Sequence, residues 1–562
     1  VTINSGKESA ADKTPNGWSQ TQSAEADSVN ADAERQSTAD KAHIARAAGL
    51  VMALFVVSRV LGLLREMVIS YQFGTGGDLD AYLAAFRLPD ILFQIVAGGA
   101  LASAFIPTFS TLLARQDDRG AWRLASAIIN LVLILTSTFA VLAALLAPWL
   151  VGTIIAPGFD TQRQALTVDL MRLMLLTPVI FGVSGVFMGI LNAQQHFLLP
   201  ALAPILYNLG IILGALFLAP DLGVEGLAVG VVAGALGHLL IQIPGLVRQG
   251  LRYTPTLGLR EPSVREVGRL MLPRVVGLAA VQINFLVNTI LASGLVPGSV
   301  TAINFAWLLM LLPQGVFAQS VATAAFPTFS TQAAKGQIAE MRSTLAATLR
   351  AILYLALPAA VGLIVLRKPL VQLIFQRGAF TEASTEMVAW ALAFFALGLP
   401  AHAVVEVVVR AFYALHDTKT PVLIGIGAMV LNVILSLAFI AVFETLGWMP
   451  HGGLALSNSL ATTLEMAVLL GIIRRRLGGL EGRYMLASLA RIGLAALLMG
   501  AVAGALAWLL KDQAAWLVAG VAVTIGLVQY VTASLALRSP EPWALWNMIR
   551  LRGRLAAQTE QQ

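Results

Sequence analysis

The sequence predicts an all-α integral membrane protein of fourteen transmembrane helices, two pseudo-symmetric six-helix lobes followed by two C-terminal helices. Three observations lead there. Of the 562 residues, 57% are hydrophobic and only 12% charged, against about 25% charged in a soluble protein. Apolar runs long enough to cross a bilayer, about 20 residues each, follow one another almost without pause. The chain also repeats: ASAFIPTFSTLLA at 102–114 returns as ATAAFPTFSTQAA at 322–334, QQHFLLP at 194–200 as ALHDTKTP at 414–421, and GVEGLA at 223–228 more loosely as HGGLA at 451–455. A period near 220 residues is too long for a solenoid. It fits two lobes of six helices each, and because six is even the lobes are parallel repeats about an axis along the membrane normal.

In chain order, residues 1–42 are rich in Ser, Ala, Asp, Glu and Asn. They bury too little apolar surface to offset ordering entropy, so a disordered cytoplasmic tail is expected. No basic start leads into a short apolar core, so this is not a signal peptide. Spans are expected near 44–71, 81–113, 122–150, 164–192, 198–219, 224–248, 265–294, 299–332, 342–366, 384–414, 420–443, 452–474, 484–510 and 514–537. These divide into an N-lobe (43–250), a C-lobe (265–476), a closing helix pair (484–537) and a cytoplasmic C-terminal tail (538–562). The loops holding Arg115, Arg119 and Arg123, then Arg248 to Arg269, Lys335 and Arg342, Lys419, and Arg474 to Arg483 all fall on one side. The positive-inside rule makes that side, and with it both termini, cytoplasmic. The loop with Arg367, Lys368 and Arg377 breaks the rule and is outvoted.

The most informative stretch is 58–110. It sets Arg59, Arg65, Glu66, Asp80, Arg87 and Asp90 into segments otherwise apolar enough for a bilayer, where each charge costs about 2.5–3.5 kcal/mol on the mildest scale. At about 100° per residue, Ser58, Arg59, Gly62, Arg65 and Glu66 share one helix face, and Asp80, Arg87, Asp90 and Gln94 a face of the next helix. Arg59 and Arg65 suit bidentate capture of phosphate or carboxylate, or each neutralises Glu66 or Asp80. Asp80 caps a helix N-terminus or serves as a gate or ion-pair residue. Arg87 and Asp90 are three apart and could simply pair. The matching stretch of the second lobe, 304–319, carries no charge, so an anionic ligand should be held asymmetrically.

Elsewhere the bland readings lead. Glu406 and Arg410, four apart, read as an intrahelical pair, and Arg172 and Arg274 as snorkelling residues near helix ends. Asn432, Ser436 and Thr462 offer three oxygens to Na⁺, although interhelical hydrogen bonding is the commoner role for such residues. The Gly pairs 185/189, 210/214, 230/234 and 500/504 signal close helix packing. The chain has no Cys, no metal-spaced His cluster, no GxSxG and no Walker loop, so enzyme chemistry is not expected. Basic residues form no patch with aromatics, which argues against nucleic acid. Without a nucleotide site, transport would run on the membrane potential, an ion gradient such as Na⁺, or the substrate gradient.

The segments SRVLGLLRE (58–66), FGTGGDLDAYLAAFRLPD (73–90), FIPTFS (105–110), APGFD (156–160), IFQRGAFT (374–381) and RAFYALHDTKTP (410–421) resemble the MurJ/MviN family. These are the lipid II flippases of the multidrug/oligosaccharidyl-lipid/polysaccharide exporter superfamily. The resemblance runs in order from about residue 44 to 537. It implies a central cavity between two lobes, a groove on the last two helices for a polyprenyl tail, and a substrate that is an undecaprenyl-diphosphate-linked peptidoglycan precursor moved from the inner to the outer leaflet of the bacterial cytoplasmic membrane. It carries functional roles to Ser58, Arg59, Gly62, Arg65 and Asp80, and puts Glu66 where many members have Asp. The chain departs from the family at Phe93 and at Trp307–Leu308, where arginines are usual, and Ser436 stands where some members have Asp. Lipid II flipping is the first expectation. Flipping of another polyprenyl-diphosphate-linked oligosaccharide, or a non-transporting scaffold role in the cell envelope, are the alternatives. The expected partners are the lipid-linked glycan, membrane lipids and the cell-wall synthesis machinery, with the protein itself a monomer.

Overall fold

The computed structural model describes residues 49–96 and 100–543. The two tails, and with them the sidedness of the termini, lie outside the described residues. Helices occupy the predicted spans with ends shifted by a few residues. They are α1 (49–73), α2 (Gly77–Val96), α3 (Ala100–Ala114), α4 (Asp118–Leu145), α5 (Thr161–Ala193), α6 (Leu198–Leu222) and α7 (Val224–Arg248). There follow α8 (Pro262–Ser293), α9 (Ser299–Ala334), α10 (Ile338–Val365), α11 (Arg367–Phe375), α12 (Glu382–Ala414), α13 (Lys419–Thr445), α14 (His451–Arg476), α15 (Gly482–Leu509) and α16 (Ala515–Ala536). Among the described residues, eleven helices are long and apolar enough to cross a membrane, so this is a multi-pass membrane protein. Helices α1 and α2 fall outside that set, and they are the ones that carry the charged stripe.

Helix α11 is not among the predicted elements. It is a nine-residue amphipathic helix that buries Val371 and Phe375, one turn apart, and is too short to give a span signal. It also gives the cations of the loop that breaks the positive-inside expectation local partners. Arg367 Nη1 donates to the Ile364 carbonyl at 2.8 Å and Arg377 Nη1 to that of Ile374 at 3.3 Å. Both cations therefore sit on helix C-termini, where positive charge is favoured. Lys368 pairs with Glu386.

The repeat reaches the backbone. Gln116 and Gly336 end equivalent helices with φ of 59° and 68°, and Gln195 and His416 do the same at 61° and 58°. Three of the four are not glycine, so the turn itself, with its strain, recurs at the repeat spacing. The predicted small-residue contacts are tightest between α6 and α7, where a Cβ on Gly210 would lie 2.3 Å from Gly234 Cα and one on Gly214 2.6 Å from Gly230 Cα. Wider π-type turns interrupt α6 at Gly214–Leu218 and α9 at Gln314–Gln319, directly after Pro313.

Three apolar cores position everything else. One holds α3, the start of α4, the end of α5, and Val264 and Val267 of α8. A second holds the end of α9, α10, and the ends of α12 and α14. Both adjoin the basic loops. At the opposite end the halves share a single core, which joins Leu79, Ala84, Met171 and Leu227 to Phe305, Phe375, Phe380 and Leu392. The halves thus share a broad core at one end, whereas at the other each has its own, with the start of α8 reaching across to α3 and α4. Helices α15 and α16 pack on α10, where Tyr530 Oη donates to the Tyr354 carbonyl at 2.6 Å. Between them runs an almost wholly apolar groove of about 520 Å³, lined by Phe317, Tyr354, Gly362, Met499, Gly526 and Tyr530 among others.

Candidate functional site

Helix α1 carries its polar stripe to the seam between the halves. Its first half is exposed along most of its length, whereas Ile69 and Ser70 enter the shared core. Arg65 lies at that transition. Its Nε and Nη2 donate to Glu66 Oε1 at 3.1 and 2.5 Å, and its Nη1 to Asn208 Oδ1 on α6 at 3.1 Å. Asn208 is oriented in turn, because its Nδ2 donates to the Pro204 carbonyl at 3.0 Å. Arg65 and Glu66 line a cavity of about 80 Å³ together with Tyr82, Phe86 and Tyr207. At about 30 Å³ per water that space holds two or three waters, not a head group. Arg59, nearly two turns earlier, is exposed, with its guanidinium carbon 5.2 Å from the centre of the Phe55 ring. Ser58 and Gly62 are half-buried, and a Cβ on Gly62 would meet nothing within 4 Å. Ser58, Arg59 and Gly62 therefore face open space, and Arg65 with Glu66 closes the inner end of the stripe.

Asp80 is not with them. It is buried, with 1% of its surface exposed, and it caps a helix other than its own. Its Oδ2 accepts from Gly298 N at 2.6 Å. Its Oδ1 accepts from Thr301 N at 2.8 Å and Thr301 Oγ1 at 2.7 Å. The cap is thus made on α9 across the seam rather than on the N-terminus of its own helix. Gly298 has a φ of 92°, and a Cβ there would lie 2.5 Å from the Thr75 carbonyl oxygen, so only glycine allows this approach. Around it, Thr75 Oγ1 donates to Ser384 Oγ at 2.8 Å, Ala379 N to the Tyr71 carbonyl at 2.8 Å, and Gly158 N to Ser293 Oγ at 3.2 Å. These contacts form a seal over the shared core.

Arg87 lies two turns along α2 from Asp80, on the same face. It reaches over the seam as well: Nε donates to Thr289 Oγ1 and Nη2 to Asn304 Oδ1, each at 2.8 Å. An ion pair between Arg87 and the half-buried Asp90 is not found among the described residues. Phe93 packs at a tilt against Phe181 with centroids 4.8 Å apart, and Phe181 meets Tyr207 and His238 edge-on at 5.0 and 5.1 Å. Trp307 sits among Phe285, Phe395 and His402 at 6.0, 5.3 and 5.6 Å. Aromatic clusters thus occupy both departures from the family pattern.

The Na⁺ candidates separate. Ser436 Oγ donates to Asn432 Oδ1 at 3.5 Å and meets Ser457 Oγ at 2.6 Å, while Thr462 lies 3.4 Å from His402 Nε2. Asn432, Ser436 and Ser457 thus bond among themselves, and Thr462 lies with His402 instead. No cluster of three or more His, Cys, Asp or Glu that could hold a metal occurs among the described residues. Arg410 pairs with Glu406 at 2.7 Å. Arg172 is 3.7 Å from Asp169, and the Arg274 side chain lies outside the described residues. Sequence reasoning did not find Asn208, the Gly298–Thr301 cap site, or Asn284, Asn288 and Asn304. Their signal was amides spaced one turn apart in apolar helices, which is faint because amides also serve as interhelical glue.

The chain is similar to known proteins over most of its length. A family model described as "Lipid II flippase MurJ" matches residues 69–525. A protein of Vibrio cholerae named "Probable lipid II flippase MurJ" is 31% identical over 493 residues, covering 84% of this chain and 90% of that protein. The "Lipid II flippase MurJ" of Burkholderia cenocepacia is 31% identical over 439 residues, covering 77% of this chain and 84% of that protein. Among solved structures, a lipid II flippase MurJ in an inward closed conformation superimposes with a TM-score of 0.73 at 25% identity, covering 87% of this chain and 99% of that one. An inward-facing multidrug-resistance MATE transporter of the MOP superfamily has a TM-score of 0.63 at 17% identity, covering 77% and 99%, a likeness of fold.

Proposed function

The chain belongs to the MurJ family, a family of transporters and not of enzymes, and from that premise we propose that it flips lipid II from the inner to the outer leaflet of the bacterial cytoplasmic membrane by alternating access. The observation that carries the reading is the asymmetry of the cores. The halves share one core at the Asp80 end and have separate cores at the basic-loop end, bridged there by the start of α8, with Arg65 at the boundary. With the basic loops cytoplasmic, the seal is the outer gate and the cleft opens inward. The two lobes, 43–250 and 265–476, would rock about this seam.

In this reading the diphosphate enters along Ser58, Arg59 and Gly62. It then displaces Glu66 and Asn208 from Arg65, whose fork replaces them with phosphate oxygens. The polyprenyl tail lies in the groove between α10, α15 and α16, which is apolar and large enough for a length of chain. An inside-negative potential pushes an anionic head group outward, by about 2.3 kcal/mol per unit charge per 100 mV. We therefore assign the driving force to the membrane potential and route no step through Na⁺. The aromatic clusters at Phe93 and Trp307 favour one second reading, a flippase for a different polyprenyl-diphosphate-linked saccharide.

The test is replacement of an essential lipid II flippase in a depletion strain, with lysis as readout. The unaltered chain should restore growth. Arg65→Ala should fail at an unchanged protein level, since losing a charged hydrogen bond costs about 1.5–3 kcal/mol, and Arg65→Lys should restore growth only partly. Failure of the unaltered chain would transfer the assignment to another saccharide. Full rescue by Arg65→Ala would remove the arginine from the binding step.

A further inference from the structure

We propose that Arg87, with Asn284 and Asn288 of α8 and Asn304 of α9, forms a second head-group subsite that takes the hydroxyl- and amide-bearing glycan next to the diphosphate. It rests on the reading of the chain as a flippase of a lipid-linked glycan.

Arg87 is a guanidinium inside a membrane protein whose partners, Thr289 and Asn304, are both neutral. Among the described residues no carboxylate lies within ion-pair distance of it, whereas Arg65, Arg163 and Arg410 each have one. Beside it, the buried side-chain oxygens of Asn284 and Asn288 have no hydrogen-bond partner. A buried acceptor left unpaired is costly, and two of them lie one helical turn apart in one place. Arg87, Asn284, Asn288, Asn304 and Asn458 line a single cavity of about 50 Å³, walled by Phe285 and Trp307. A structural latch accounts for the Arg87 bonds but not for the two unpaired carboxamide oxygens.

The donor set defines the ligand class. A carboxamide offers both an acceptor and donors, which matches sugar hydroxyls and N-acyl or peptide amides. The guanidinium takes the adjoining negative charge. A few placed polar groups between aromatic walls are what a small-molecule site presents. None of these polar residues is acidic, so nothing in the set repels an anion.

The cavity is too small for a sugar as it stands, and its position gives the reason. Arg87 is on α2 and its partners are on α8 and α9, so its two bonds bridge the seam below Asp80. A ligand that takes Arg87 must break those bonds, and the space it needs opens only as α2 leaves α9. Occupancy of the subsite and release of the seam are then one event, and a lipid without its glycan would not trigger it.

The experiment compares two probes on purified full-length protein by native mass spectrometry: polyprenyl diphosphate without a sugar, and lipid II. The variant Asn284→Leu with Asn288→Leu should lose about fivefold to 150-fold in affinity for lipid II, the range for two neutral hydrogen bonds, and bind the bare diphosphate as before. Arg65→Ala should weaken both. A serine pair at the same positions, smaller and still polar, answers the question should the leucine pair not fold. A double variant that keeps the wild-type preference, or a wild type with no preference, overturns the subsite and leaves the flippase reading standing. A wild type that binds neither lipid overturns both.

Discussion

Removing the Asp80 carboxylate should unseal the Asp80 end of the molecule. Asp80 supplies two oxygens to three donors across the seam, two of them backbone N–H groups at the start of α9. Loss of an ordinary helix cap costs about 0.5–2 kcal/mol, and a hydrogen bond to a charged group contributes about 1.5–3 kcal/mol. Asp80→Ala loses three charged bonds, about 4.5 kcal/mol at the lower end, but also relieves the burial of a carboxylate, which leaves a net of about 3 kcal/mol. That is roughly a 150-fold shift toward the unsealed form. If the sealed form starts at roughly 99%, fewer than half of the molecules stay sealed. Because the chain contains no cysteine, the assay has no background. Thr75→Cys with Ser384→Cys places two thiols where the hydroxyl oxygens now lie 2.8 Å apart, and mild oxidation should join them. In the Asp80→Ala background the cross-link should form in a minority of molecules, and the free thiols should react with a bulky maleimide. Asp80→Asn, which keeps one carbonyl acceptor, should fall between. Cross-linking at the unaltered rate in Asp80→Ala, with thiols that stay protected, would refute the gate.

Two further outcomes test the packing and the loops. Gly210→Ala should lower the melting midpoint of the detergent-solubilised protein, because its Cβ would lie 2.3 Å from Gly234 Cα and overpacking costs about 1–3 kcal/mol. Gly427→Ala, with nothing within 4 Å of its Cβ, serves as the control and should not lower it. In the loop before α13, hydrogen bonds from the Thr420 hydroxyl and backbone N–H, and then Arg476, pull the Asp417 carboxyl down to about 2. A depressed carboxylate stabilises the fold above its ordinary value of about 3.9 and loses that contribution as pH falls toward the folded value. Between pH 5 and 2 the melting midpoint of the unaltered protein should therefore fall further than that of Asp417→Asn, and equal slopes would remove Asp417 from the account.

The sequence by itself determined the membrane-spanning elements and the charged residues of the site. Hydropathy alone places helices in lipid, because each must close its own backbone hydrogen bonds there. For the same reason a charge in such a helix stands out, so Arg65, Asp80 and Arg87 were legible as residues with a task. The repeat was legible because equivalent turns need equivalent residues, down to the left-handed Gln195 and His416. The tertiary structure decided which task each charge performs, since spacing along a helix fixes a face but not what lies opposite. Asp80 caps a helix more than 200 residues away in the chain, and Arg87 prefers Thr289 and Asn304 to the Asp90 three residues on. The halves share a core at one end only because Phe305, Phe375 and Phe380 meet Leu79 and Met171 there. Apolar contacts carry no address in sequence: any buried leucine suits any phenylalanine, and only the packed arrangement selects the pair.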